Sequence, residues 1–130
     1  MMSQIKIYAH KALIEQKRQL VSDAIHRALV DALAYPAQKR FQRFIALDAQ
    51  DFIYPDDRSD DYIIIEISMF VGRSVATKKR FIQLIFEYLS KECQISPQDV
   101  EITIFETPKE NWGIRGKPAD ELFLNYQVEV

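Results

Sequence analysis

Two prolines set the frame of this chain. Pro36 and Pro97 each follow a long amphipathic stretch, and they stand 61 residues apart. Proline has no N–H to give and pushes the residue before it out of the helical region, so each closes a helix. From about Leu13 to Ala34, Val21, Ala24, Ile25, Ala28, Leu29, Ala32 and Leu33 fall at helical spacing. Lys17, Arg18, Asp23, Arg27 and Asp31 lie mostly off that stripe. A second helix carries Phe81, Ile82, Leu84, Ile85, Tyr88, Leu89 and Cys93, with Ser74 as its N-cap. Strand patterns flank both helices: residues 4–9 and Arg40–Leu47 around the first, Tyr62–Met69 and Val100–Glu106 around the second.

A shift of about 61 residues lays Val21 near Phe81, Ile25 near Ile85 and Phe44 on Phe105. The pattern predicts an α+β fold of two tandem β-α-β units, pseudo-repeats over about 3–57 and 60–121. They form a four-stranded sheet with two helices on one face, in a single domain over 1–130. A short C-terminal strand over Leu122–Val130 is expected after them. Helices on one side leave the other sheet face bare and apolar, which calls for a partner and an oligomer.

Charge and cysteine use narrow the function. Seventeen Lys and Arg against nineteen Asp and Glu give −2, which lacks the basic excess of a protein held on nucleic acid. No aliphatic run approaches a membrane span, and Met1–Lys6 has no apolar core like that of a secretory signal. The single cysteine, Cys93, permits no intrachain disulfide, and it falls on the apolar face of the second helix. A cytoplasmic protein that uses no membrane or nucleic acid is expected.

Several constellations are candidates for chemistry. Gly72-Arg73-Ser74 stands where the strongest strand hands over to a helix, and an Arg there offers a two-pronged donor for a carboxylate. Trp112 and Arg115 share a loop holding two of the three glycines, and such a pair can wall a small-molecule pocket. The turn Asp56-Asp57-Arg58-Ser59-Asp60-Asp61 lacks the glycine and closing glutamate of a calcium loop and reads as a solvated turn. Lys78-Lys79-Arg80 reads as a solvated helix face. His10 and His26 lack metal-ligand spacing, and His26 flanks the helix stripe as a surface residue. No metal site and no cofactor motif is expected.

The ordered pieces Ile5-Lys6-Ile7, Arg40-Phe41-Gln42, Arg58-Ser59-Asp60-Asp61, Gly72-Arg73-Ser74, Lys78-Lys79, Ile95-Ser96-Pro97-Gln98-Asp99-Val100 and Glu110-Asn111-Trp112-Gly113 run through nearly the whole chain. Together they resemble the tautomerase superfamily, in its malonate semialdehyde decarboxylase-like branch. The resemblance implies a homotrimer with inward-turned sheets, a small carboxylate-bearing keto or enol acid as ligand, and arginines that hold its carboxylate. In that family an N-terminal proline does the proton transfer. Here Ser3 takes the proline's place, Lys39 stands where the decarboxylase has an aspartate, and Val71 replaces one of two arginines while Arg73 remains. The resemblance thus implies substrate binding by Arg73, Lys39, Trp112 and Arg115, with proline-dependent chemistry absent. The alternative is an active tautomerase or decarboxylase-like enzyme whose base is water or the amine of Ser3, the latter only where Ser3 is N-terminal.

Overall fold

β1 (Ser3–His10) alternates along its whole length: Ser3, Ile5, Ile7 and Ala9 are buried, and the residues between them are half-buried. That period of two gives the strand one dry face. The computed structural model describes residues 3–122. β1 runs parallel to β2 (Gln42–Leu47) and antiparallel to β3 (Ile63–Phe70). β3 is parallel to β4 (Val100–Thr107), giving the strand order β2-β1-β3-β4. Helix α1 (Lys11–Leu33) joins β1 to β2, and α2 (Val75–Cys93) joins β3 to β4. Both parallel pairs are therefore crossovers through a helix, as parallel pairing requires.

The two helices pack on each other and on the dry face of the sheet. Val21, Ile25 and Leu29 of α1 meet Phe81, Ile85 and Leu89 of α2 in one core with Ile5, Ile7, Ile65 and Ile67. Polar ties cross the helix seam: Tyr88 donates to Asp31 at 2.7 Å, and Arg27 pairs with Glu92 at 2.8 Å. Ser74 caps α2 as expected, its hydroxyl accepting from the N–H of Thr77. α1 starts at Lys11, two residues before the predicted start.

The elements recur at a constant spacing of 60. Ser3–His10 maps onto Ile63–Phe70, and the left-handed caps Ala34 and Gln94 map onto each other. Ile5 faces Gln42 in one half as Ile65 faces Ile102 in the other. Phe44 therefore corresponds to Ile104, not Phe105. The prolines mislead by one residue because Pro36 lies two residues past its cap and Pro97 three.

Three further expectations change. The uncovered sheet face is mixed rather than uniformly apolar. Its central row reads Arg43, Lys6, Glu66, Thr103 across the four strands, and Tyr8 donates to Glu66 at 2.8 Å. The next row is more apolar, Ile45, Tyr8, Ile64 and Glu101, and Leu47 and Phe105 share the face, so apolar and charged rows alternate across it. His26 is buried rather than superficial, because the segment after α1 folds back and His26 Nε2 bonds the carbonyl oxygen of Ala37 at 2.7 Å. The Gly-rich loop is a small hairpin, β5 (Gly113–Ile114) with β6 (Lys117–Pro118). Arg115 and Gly116 both have positive φ, at 51° and 89°, the pattern of a tight two-residue hairpin turn. The predicted C-terminal strand, beyond Leu122, lies outside the described residues.

Candidate functional site

One end of the sheet gathers most of the candidate residues. Ser3 opens β1 and faces Met69 near the end of β3; Met69 in turn faces Glu106 on β4. The three share the helix-side face. Ser3 is only 2% exposed, and its Oγ is buried without a hydrogen bond among the described residues. Glu106 pairs with Lys78 of α2 at 2.8 Å. Arg73 follows β3 and directly precedes the N-cap of α2. Gly72 makes the bend possible with φ 133°, a backbone that a side chain rarely adopts. Arg73 is 5% exposed, unusual for an arginine.

Trp112 reaches the same end. Its ring stands edge-on to Phe70, the last residue of β3, with centroids 5.0 Å apart and planes at 68°. The tryptophan is thus half-buried against the core rather than free on its loop. Lys39 is half-buried on the otherwise exposed segment before β2, where the Phe41 carbonyl accepts from Ile5 N–H at 3.0 Å. Arg115 sits exposed at the hairpin tip. It shares with Trp112 the lining of a cleft of about 550 Å³ that Arg73 and Lys39 do not line. Ser3, Arg73 and Trp112 therefore lie at the same end of the sheet, placed there by β1, β3 and Phe70, and Arg115 shares the cleft of the tryptophan.

Elsewhere the acidic turn is solvated as expected, with Asp56, Asp57 and Asp60 exposed, and it is tied to the fold at Ser59. Asp99, buried, accepts from Ser59 N–H at 2.7 Å and from Ser59 Oγ at 2.6 Å. Arg58 bonds Asp57 and Glu101. Cys93 is fully buried, and burial pushes its thiol up to about 11. That thiol is no nucleophile at neutral pH. Among the described residues no group of three or more His, Cys, Asp or Glu is placed to hold a metal ion, and no helix is long and apolar enough to cross a membrane. Sequence spacing gives no role to Phe70, and it places Asp99 in a matching piece without its Ser59 partner. Phe70 is the aromatic one step past the predicted strand end, and only a rule extending the alternation by one residue would have found it.

Residues 39–115 match the tautomerase enzyme family. Two curated relatives match over a shorter stretch. The chain is 40% identical over 57 residues to 2-hydroxymuconate tautomerase of Pseudomonas putida, and 39% identical over 57 residues to that of Comamonas testosteroni. Each match spans 44% of this chain and 90% of the relative, so a whole relative corresponds to less than half of this chain. Among solved structures, a malonate semialdehyde decarboxylase inhibited by 3-bromopropiolate is 33% identical, with TM-score 0.79, covering 90% of this chain and 92% of that one. A fused 4-OT asymmetric trimer shares the fold at 22% identity and TM-score 0.78, covering 90% of this chain and 96% of the other. The fold and the matched segment define a tautomerase-like protein. This chain belongs to the tautomerase family.

Proposed function

We propose that this chain binds a small keto or enol acid at the Ser3–Arg73–Trp112 end of the sheet, and that it does so as a homotrimer in the cytoplasm. The observation that carries the reading is the burial of Arg73 at the head of α2 in a tautomerase fold. A guanidinium taken from water offers a fixed fork of N–H donors, and a carboxylate matches that fork in shape and charge. Lys39 adds a second cation beside the start of β1. Trp112, steadied by Phe70, supplies an apolar wall, and Arg115 lies beyond it.

Proton transfer by an N-terminal proline has no counterpart in this reading. Ser3 holds that place at the first position of β1. While Met2 precedes it, its nitrogen is an amide and has no lone pair to offer as a base. A second reading follows from the same position. Removal of Met1 and Met2 would leave an α-amine at the sheet end, and an α-amine of ordinary pKa, about 7.7–8.0, is partly neutral at pH 7. That amine would serve as the base of an isomerase or decarboxylase-like reaction.

The trimer is supported by relatives described as trimers and by the uncovered face. Arg43 and Lys6 lie toward the β2 edge of that face, with Glu66 and Glu101 toward the β4 edge. A basic edge of one copy suits the acidic edge of the next. Sedimentation should give three times the 15.2 kDa monomer mass at micromolar concentration. A lone monomer would refute the assembly. For the site, calorimetric titration with malonate should show at least tenfold weaker binding in Arg73→Ala and partial recovery in Arg73→Lys. Equal affinity in all three proteins would refute the role of Arg73. Intact mass and an enol-ketonisation assay on one sample decide between the two readings. Turnover confined to protein beginning at Ser3 supports the amine.

A further inference from the structure

One turn of α1, at residues 22–26, carries a polar cluster that grips the chain entering β2. His26 is buried, and its Nε2 donates to the Ala37 carbonyl at 2.7 Å. Ser22 and Gln42 are joined twice. The Ser22 hydroxyl bonds the Gln42 side-chain oxygen, and Gln42 Nε2 donates to the Ser22 carbonyl at 3.1 Å. Arg40 Nη1 donates to Asp23 Oδ1 at 2.6 Å and to Ser22 Oγ at 3.1 Å. The hydrogen bond from Arg40 holds the Asp23 carboxyl below the usual carboxylate range, so the pair stays charged at neutral pH.

The chain contains its own control. At the spacing of 60, Ser22 corresponds to Ile82, His26 to Phe86, Arg40 to Val100 and Gln42 to Ile102. Val100 is buried, and Phe86 and Ile102 pack against the core. The second half thus joins the same helix to the same strand with apolar side chains. The fold does not require polar groups at these positions, and taking them from water is costly. What they add is a guanidinium held in one place at the β2 edge. That edge carries a cleft of about 280 Å³, lined by Gln4, Arg40, Phe41, Gln42 and Arg43. Arg43 is exposed, and its Nη2 reaches Gln4 Oε1 only loosely, at 3.4 Å. Phe41 is 38% exposed, an apolar ring between the two arginines. At the spacing of 60 the arginine positions hold Val100 and Thr103, so the second half has no such pair.

We propose that the cleft at the β2 edge binds a phosphate monoester, with Arg40 and Arg43 on the phosphate and Phe41 against the organic group. A phosphate monoester presents three acceptor oxygens and close to two charges at pH 7, enough for both guanidinium forks, whereas one fork fills a carboxylate. Asp23 offsets part of the charge of Arg40, so the second cation, Arg43, is needed to hold a dianion. The exposed ring gives an apolar or planar ester group a surface to cover. Arg73 does not line this cleft, so the site is independent of the carboxylate reading there. Arg43 also lies on the basic edge assigned to the next copy. Arg40, Gln42 and the turn of α1 that grips them belong to one chain, so the cleft is built without a partner.

The test is calorimetric titration of the full chain with phenyl phosphate, with inorganic phosphate and benzoate as contrasts. Phenyl phosphate should bind more tightly than either. Arg43→Ala should weaken it by about tenfold or more, the worth of one charge-assisted hydrogen bond. Phe41→Ala should bring phenyl phosphate down to the affinity of inorganic phosphate. Asp23→Ala separates a built site from general attraction. It removes a negative charge near the cleft, so attraction to positive charge alone would strengthen binding. Loss of the grip on Arg40 should instead weaken binding about threefold to tenfold. Lys79→Ala removes an exposed cation outside the cleft and should change nothing. Circular dichroism of each variant checks the fold. Four outcomes overturn the proposal: no binding of phenyl phosphate up to about 10 mM, benzoate bound as tightly as phenyl phosphate, an unchanged affinity in folded Arg43→Ala, or a folded Asp23→Ala that binds as tightly as wild type or more so.

Discussion

Asp99 ties the turn at residues 56–61 to the start of β4 across 40 positions of sequence, and its removal has a calculable cost. Its two carboxylate oxygens accept from the Ser59 amide and hydroxyl at 2.7 and 2.6 Å. Hydrogen bonds to a charged group contribute roughly 1.5–3 kcal/mol each. Ser59 is exposed, however, so its donors regain water once the carboxylate is gone, and the cost of burying Asp99 goes with it. Asp99→Ala should therefore destabilise by about 2 kcal/mol, below the roughly 3–6 kcal/mol that the two bonds would sum to. A domain of this size loses about 3–5 °C per kcal/mol, so the melting temperature should fall by roughly 6–10 °C. Asp99→Asn keeps one acceptor and should cost about half as much. Ser59→Ala removes the hydroxyl's bond to Asp99 and its weaker acceptance from the Asp61 N–H at 3.1 Å, and should cost about 1 kcal/mol, but clearly less on top of Asp99→Ala, because one partner is already gone. Thermal melts of the four proteins give the cycle. Additive effects, or an Asp99→Ala melt within 1 °C of wild type, would show that the clamp contributes nothing.

Two further outcomes follow from buried or paired groups. Cys93→Ser places a hydroxyl in a fully buried apolar position and should cost about 1–3 kcal/mol in a thermal melt; a neutral effect would contradict the packing. The Cys93 thiol, raised to about 11 by burial, should react with Ellman's reagent only as fast as the protein opens, and rapid native labelling would refute its inaccessibility. Hydrogen bonds from Arg58 and Tyr62 hold the Glu101 carboxyl below its usual range. A carboxyl depressed in the folded state stabilises above its unfolded value, and that contribution is lost as pH falls through the folded value. Arg58→Ala should move the Glu101 titration upward by NMR and lessen the acid sensitivity of this region. An unmoved titration would break the assignment.

The parts of the fold that depend on neighbours in sequence were legible. Ile5 and Ile7 alternate, Val21, Ile25 and Leu29 share a stripe, and Ser74 caps a helix three residues ahead; each follows from local geometry. What failed depended on contacts that sequence spacing does not encode. His26 looks superficial on a helical wheel, and becomes buried only because the chain after α1 brings Ala37 across it. The uncovered sheet face looked apolar because the strands were judged by content. Pairing Arg43 with Lys6 and Lys6 with Glu66 needs the register of three strands at once. At the candidate site, Arg73 was legible as a residue type beside a helix start. Its burial, and the Phe70 ring that steadies Trp112, came only with the packing of β3. His10 was dismissed on metal spacing, a test that misses a partner such as Tyr54, 44 residues away.

The two sheet ends show how one frame can carry different polar groups. At a spacing of 60, Arg73 corresponds to Leu13, Trp112 to Phe52 and Phe70 to His10. The Ser3 end thus keeps a buried cation and an aromatic wall but has no proline amine. The far end buries Leu13 where the arginine would be, so it has no desolvated cation for a carboxylate, yet it carries the imidazole. The same edge-on ring contact persists at both, at 5.0 and 5.4 Å, so the backbone at each end is held alike while the polar groups differ. Binding a carboxylate favours a fixed positive charge taken from water, whereas general-base catalysis needs an uncharged lone pair at neutral pH. A cation beside the imidazole would favour its neutral form, but a buried arginine next to a buried histidine would make both harder to solvate. A buried arginine beside an aromatic wall at one end, and an imidazole with only the exposed Lys11 beside it at the other, is the division this sequence makes.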